Sequence, residues 1–171
     1  GLQSCNLAPI WKKRPTLYTI KKETLFNGRR SDFSPMLAGD DMEQLYFTST
    51  RPQATGNEVS GITGIKPADF FMAKKDEQGK WQQPEHIESE INSEYDEGAC
   101  CFSPDGKTMY FTRCTHDPEY PRFAQIYTSQ RSDASWSAPK LLEISKDTLS
   151  SYAHPAISPD GRTIAFNYKG D

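Results

Sequence analysis

Short apolar and aromatic runs, each closed by turn-forming residues, recur along this chain and come in pairs. The earlier member of each pair is Ser31–Leu37, Asp96–Phe102 or Ser151–Ile157. After a polar turn comes the later member: Leu45-Tyr46-Phe47-Thr48, Thr108-Met109-Tyr110-Phe111-Thr112 or Thr163-Ile164-Ala165-Phe166. Their β-branched and aromatic character predicts strands. Two of the turns are Ser103-Pro104-Asp105-Gly106 and Ser158-Pro159-Asp160-Gly161. Pro fixes φ there and Gly accepts a positive φ. The first copy departs, with Ala38-Gly39-Asp40-Asp41. The anchors Phe47, Phe111 and Phe166 are spaced by 64 and 55 residues.

The repeat continues beyond these pairs. Asp69–Lys74 matches Gln125–Gln130, and each leads through a polar turn to a tryptophan, in Trp81-Gln82-Gln83-Pro84 and Trp136-Ser137-Ala138-Pro139. Glu97 and Tyr152 each follow their tryptophan by sixteen residues. Each unit therefore reads as four short strands joined by tight turns, which fits a propeller blade. The fold class expected is all-β, a β-propeller of four-stranded antiparallel blades with about two and a half blades present. Residues 18–171 form this partial propeller, as blade 31–87, blade 96–142 and half blade 151–168, after an N-terminal extension over 1–17. Tyr18–Phe26 is expected to supply an outer strand of a preceding blade. Glu85–Asn92 also suits a helix with Ile87 and Ile91 on one face, but its match to Lys140–Asp147 favours the repeat. Open blade edges predict self-association of such a piece.

The Ser-Pro-Asp-Gly-Lys/Arg turns at 103–107 and 158–162, followed by Thr108–Phe111 and Thr163–Phe166, resemble the signature of WD40-like (PD40) propellers of the TolB type. The resemblance covers about residues 18–171. The stretches Ile62-Thr63-Gly64, Gly79-Lys80-Trp81, Ile91–Cys100 and Met109–Cys114 resemble propellers of Bacteroidota OmpA-family envelope proteins, such as the PorE-type component of the type IX secretion system. That likeness implies a non-catalytic interaction platform in the periplasm, associated with the outer membrane, without a cofactor. Its implied partners are other envelope proteins or a peptidoglycan-associated assembly. The opening Gly1-Leu2-Gln3-Ser4-Cys5 resembles the end of a bacterial lipoprotein signal, which makes Cys5 the lipidation candidate. The plain alternative is a chain end that contains a cysteine.

Composition agrees with a turn-rich β protein. The 171 residues hold nine Phe, eight Tyr and three Trp, with 11 Gly and 12 Pro spread without a period. That excludes a solvating tail or a collagen-like repeat. A formal net charge of −3 carries no overall basic excess of the kind nucleic acid demands. No apolar run approaches the length of a membrane span. Cys5, Cys100, Cys101 and Cys114 form no CxxC pair, so no metal site is expected. Cys100 and Cys101 read as buried thiols. A turn centred on Asp105-Gly106 puts Cys100 near Phe111 and Cys114 near Glu97, so a cross-strand disulfide misses its register.

Enzyme chemistry finds little support in the motifs. Gly-x-Ser-x-Gly is absent, and the Ser103–Gly106 turn lacks the spacing and tryptophan of sialidase turns. Asp105 and Asp160 read as turn-closing groups, not metal ligands. The candidate site is instead a partner surface where the second-to-third-strand loops and the links between units emerge together. It comprises Arg51, Asn57 and Lys66 on the long loop 51–67, an acidic sector of Glu94, Asp96 and Glu97, and Asp117, Tyr120 and Arg122 on the next loop. Such a sector suits a cation or a basic peptide; the bland reading is a solvated rim. An alternative function is the substrate-gating propeller of a hydrolase whose catalytic domain lies elsewhere. A third, carbohydrate binding through Trp81, Trp136 and Tyr120, is weaker because the tryptophans recur at packing positions.

Overall fold

A computed structural model describes residues 2–14, 16–56, 59, 64–115, 124–133, 135–147 and 149–170. Helix α1 (Leu2–Lys12) comes first, an irregular segment follows, and every strand from Asp32 onward is paired antiparallel. The first sheet is a four-stranded meander in the order β1 (Asp32–Ala38), β2 (Gln44–Ser49), β3 (Asp69–Lys74) and β4 (Glu85–His86). In the second, β5 (Asp96–Phe102), β6 (Thr108–Cys114) and β7 (Gln125–Ser132) follow the same order, and β7 pairs with both β8 (Ser135–Trp136) and β9 (Lys140–Leu141). The third sheet is the hairpin of β10 (Ser151–Ile157) and β11 (Ile164–Lys169). Glu85-His86 pairs with Phe71 and Met72, so this stretch is strand and not helix.

One irregularity recurs in all three sheets. The register of the first hairpin slips between Phe33 and Met36, that of the second between Gly98 and Cys100, and that of the third between Ala153 and Ala156. At these β-bulges Ser34, Ala99 and His154 adopt φ values of 52°, 40° and 54°. Three non-glycine residues in the left-handed region at matching places mark a built-in kink of the first strand. The bulge also corrects the cysteine register. Cys100 does face Phe111, but the extra residue Ala99 moves Cys114 opposite Asp96, and Glu97 opposite Arg113. Cys100 and Cys101 are buried and unpaired, and burial pushes the Cys101 thiol up to about 11.

Successive sheets pack face to face through aromatic side chains. Phe70 meets Phe111 edge-on at 5.5 Å, and Tyr46 lies 4.8 Å from Phe102 and 6.3 Å from Trp136. Ile91, Cys100 and Met109 complete this core. Backbone bonds knit the same joints. Glu97 N–H donates to Ala68 O at 2.7 Å, and Tyr152 N–H donates to Ala124 O at 3.0 Å, linking the third strand of one sheet to the first strand of the next. Because β2 and β6 are covered on both faces, they read as nearly continuous apolar runs.

The Ser-Pro-Asp-Gly turns are built alike. Asp105 Oδ1 accepts from Ser103 Oγ at 2.5 Å and from Lys107 N–H at 3.1 Å, and Asp160 repeats both distances with Ser158 and Arg162. These bonds hold both aspartates below their ordinary pKa. Gly106 and Gly161 take φ of 67° and 71°.

Tyr18–Phe26 forms no strand, contrary to expectation. Leu17, Tyr18 and Ile20 are 104%, 85% and 95% exposed, and the segment has no ladder partner to satisfy an extended backbone. Only its end docks: Phe26 packs on Phe47 at 6.5 Å and edge-on to Trp81 at 5.5 Å, covering the outer face of the first sheet.

An L-residue with a Cβ in the left-handed region costs about 1–2 kcal/mol. Ala99→Gly should therefore raise the urea midpoint by the equivalent of about 1 kcal/mol, and Ala99→Val should lower it. A destabilised glycine variant would mean that the kink is not strained.

Candidate functional site

The loop end of the sheets is organised by two carboxylate–arginine clusters of the same plan. In the second sheet, Glu97 accepts from Arg113 Nε at 2.7 Å, from Ser93 Oγ at 2.5 Å and from Ser93 N–H at 3.1 Å. The first sheet has Asp32 accepting from Arg51 Nε at 3.1 Å, from Ser49 Oγ at 2.7 Å and from Gly28 N–H at 2.7 Å. Each acid thus binds the amide four residues before it. Arg113 also donates to Ile91 O at 3.2 Å and Glu90 O at 2.9 Å, while Arg51 donates to Phe26 O, the place equivalent to Ile91.

Both guanidinium groups lie over a cross-strand aromatic pair. Arg51 sits 4.9 Å from the Phe47 ring and 5.5 Å from Phe71, and Arg113 5.6 Å from Phe111 and 5.1 Å from Tyr127. The paired rings stack at 6.1 Å in each sheet. Cation–π contacts of this desolvated kind contribute roughly 1–2 kcal/mol each. Among the described residues the third sheet has no such cluster: Tyr152 and Tyr168 face each other where Glu97 faces Arg113 in the second sheet and Asp32 faces Ser49 in the first, with rings 5.5 Å apart.

Asp69 anchors a second polar group in the first sheet. Its fully buried carboxylate accepts from Thr55 N–H and from His86 Nε2, both at 2.6 Å. His86 Nδ1 lies 3.0 Å from Glu88 Oε1, so both ring nitrogens face carboxylates. Asn92 spends both amide hydrogens on Phe70 O and Ile87 O and accepts from Phe70 N–H at 2.7 Å. Burial pulls the imidazole pKa down, but its bonds to Asp69 and Glu88 outweigh this and leave it above the ordinary value. The cluster ties the long loop to the link between the first two sheets.

The residues singled out from the sequence divide accordingly. Glu94 is exposed on the link and Asp96 at the start of β5, although Asp96 Oδ1 also accepts Ala68 N–H at 2.9 Å. Glu97 is 1% exposed, so it leaves the exposed acidic sector and belongs to the interior: its lone pairs are taken by Arg113 and Ser93. Arg51 is likewise engaged in its cluster. Lys66 Nζ donates to Pro52 O at 3.1 Å and Ala54 O at 2.8 Å and closes the base of loop 51–67. Asn57, Asp117, Tyr120 and Arg122 lie outside the described residues. Cys5 is exposed on α1. Trp136 is buried and Trp81 half-buried, which withdraws both from a sugar-stacking face.

At the opposite end, the turns border an open cleft of about 560 Å³ lined by Gly39, Phe102, Asp105, Lys107, Arg131 and Ile157 among others. Asp40, Glu43 and Asp105 offset its two cations, so it selects no charge. Comparison with protein-family models, curated proteins and solved structures gives no match.

Burial pushes the Glu97 carboxyl up to about 7 against the pull of Ser93 and Arg113. A carboxyl raised above its unfolded value contributes most stability below about pH 4.5 and loses it as pH rises toward 7. Without Arg113, the carboxyl must stay protonated or remain buried and unpaired. Arg113→Met should therefore cost about 3 kcal/mol at pH 7.5 and much less near pH 5 by urea unfolding. A penalty independent of pH would refute the pairing. The raised His86 contributes stability in full below about 6.5, its unfolded value, and loses it as pH climbs through the folded one. His86→Gln should abolish the fall in urea midpoint above pH 6.5 that is attributable to this ring.

Proposed function

We propose that the sheets are blades of a WD40-like propeller of the TolB type, and that the protein is a non-catalytic binding scaffold of the bacterial cell envelope, similar to the propellers of OmpA-family proteins such as the PorE-type secretion component. The observation that supports this most is the matched construction of the sheets. Each begins with a kinked first strand, and these strands lie side by side, with β5 against both β1 and β10. The short fourth strands stand away from them, as in a radial array. Scaffold use is supported by the fate of the buried charges: Asp32, Asp69, Glu97, Arg51 and Arg113 are engaged with one another or with loop backbone.

In this reading the loop end is the binding face. Glu94 on the link and Asp96 at the start of β5 are exposed beside the Glu97–Arg113 and Asp69–His86 clusters, which hold the carboxylates in place for a basic partner. Periplasmic placement at the outer membrane and acylation of Cys5 are part of the same proposal.

The test is capture from a solubilised envelope fraction with the chain as bait. Glu94→Lys with Asp96→Lys should reduce the recovery of specific partners at least tenfold and make what remains insensitive to salt. Glu77→Lys, a reversal at an exposed acid on the turn between β3 and β4, should leave recovery unchanged. Equal capture by the charge-reversed protein would remove the acidic face from the proposal.

A further inference from the structure

The net charge of −3 conceals a sharp segregation. Residues 1–30 hold seven of the 20 Lys and Arg but one of the 23 Asp and Glu, and the first acidic residue of the chain is Glu23. Residues 31–171 therefore carry 13 basic against 22 acidic side chains. The basic stretch is also apolar in an unusual way. Ile10 and Trp11 directly precede Lys12, Lys13 and Arg14, and Leu17, Tyr18 and Ile20 directly precede Lys21 and Lys22.

None of this apolar surface is used by the fold. Helix α1 has no buried residue, and Leu2, Trp11, Leu17, Tyr18 and Ile20 are 86%, 60%, 104%, 85% and 95% exposed. The helix is weak by itself: Pro9 removes one internal bond, and no acid faces its N-terminal dipole. The first side chains to engage the sheets are those around Phe26. An arm with five cations and five large exposed apolar groups thus stands apart from an acidic β domain.

We infer that residues 10–22 are an interfacial arm that binds the surface of an anionic lipid bilayer. Trp and Tyr have an apolar body and a polar tip that suit the headgroup level, and Leu and Ile can enter the acyl boundary beside them. Lysine and arginine stems lie along that boundary with their charged ends among the phosphates. Each such cation adds to the attraction, and the total fades with salt. Nucleic acid also attracts cations, but it gives no reason for fully exposed Leu17 and Ile20. The acidic domain, for its part, would be repelled by the same membrane and held off it, with the arm as the only contact. The inference does not depend on acylation of Cys5 or on the scaffold reading, since the arm's own side chains make the interaction.

The experiment is co-sedimentation of the full, unacylated chain with phosphatidylcholine vesicles with and without phosphatidylglycerol, at low and high salt. The chain should bind the anionic vesicles at low salt, release at high salt and ignore pure phosphatidylcholine. Neutralising all five cations (K12Q, K13Q, R14Q, K21Q, K22Q) should weaken binding more than about a hundredfold. W11S with L17S and I20S should weaken it at least tenfold, and C5S should not change it. Since these side chains pack against nothing in the sheets, every variant should keep the wild-type urea midpoint.

Absence of vesicle binding, or binding unchanged by the five neutralisations, would overturn the inference. So would binding to a single-stranded oligonucleotide tighter than to anionic vesicles, which would assign the arm to nucleic acid. Salt-sensitive self-association without vesicle binding would assign it instead to the acidic face of a second copy.

Discussion

A carboxylate buried beneath an arginine, with the arginine laid across two stacked rings, governs how this chain is put together. Glu97 has almost no contact with water, so its charge is tolerable only while Arg113 and Ser93 face it. The three groups come from different parts of the chain: the link, the first strand and the second strand of one sheet. Breaking a buried pair by removing one partner costs about 3–5 kcal/mol, against a total of about 5–15 kcal/mol for a domain. An error in strand register of one residue would separate Glu97 from Arg113 altogether. The pair therefore selects the bulged register that places Cys114 opposite Asp96. Asp32 and Arg51 impose the same condition on the first sheet with a shorter acid and a more distant arginine.

The strands were largely legible, and the polar clusters were not, for a physical reason. Strand positions follow from runs of Tyr, Phe, Met and Thr bounded by Pro-Asp-Gly, which have local causes. Cluster geometry depends on where side chains end. Arg51 and Arg113 occupy different places in the repeat, two residues apart, and Ser49 holds the position of Arg113. Only the reach of a long side chain brings both guanidinium groups over equivalent rings. A usable signal existed in the four-residue spacing of Gly28 and Asp32, and of Ser93 and Glu97. It is masked because Glu97 follows Glu88, Glu90, Glu94 and Asp96 and looks like one more acid of that run. The bulge was hidden likewise, because Ser34, Ala99 and His154 share no side-chain chemistry. The outer strand expected over Tyr18–Phe26 failed because strand propensity cannot replace a missing ladder neighbour.

The sheets differ in how completely they are closed. Between the first two, Phe70, Ile91 and Phe111 fill the joint, and the loop end is locked by Arg113. No sheet precedes the first one among the described residues, yet Phe47 and Phe71 are buried, because Phe26 and Arg51 do there what Ile91 and Arg113 do in the second. Chain that is irregular in itself thus caps a sheet by reproducing the last contacts of the repeat. The third sheet is weaker in the same terms: Tyr152 and Tyr168 replace the ion pair, and Tyr168 is 62% exposed. A tyrosine pair can pack but cannot select one register electrostatically, and burial falls off toward β11, which holds no buried residue.

That gradient sets the arm apart from the rest of the chain. Phe26 belongs to the sheets because it completes the aromatic group of Phe47 and Trp81, and Arg51 fixes its carbonyl. Four residues earlier the sequence changes character, with Lys21 and Lys22 followed by Glu23 and only then by residues that find a partner. The acidic domain could in principle attract these lysines to itself. Its buried acids, however, are already matched by Arg51, Arg113 and His86, and its exposed ones are solvated and screened, with little to gain from a surface pair. On the first sheet, Phe26 and the half-buried Trp81 already cover the outer apolar face. The charge and the apolar surface of residues 10–22 are therefore both left over from folding. A partner that satisfies the two together must itself be negative outside and oily beneath.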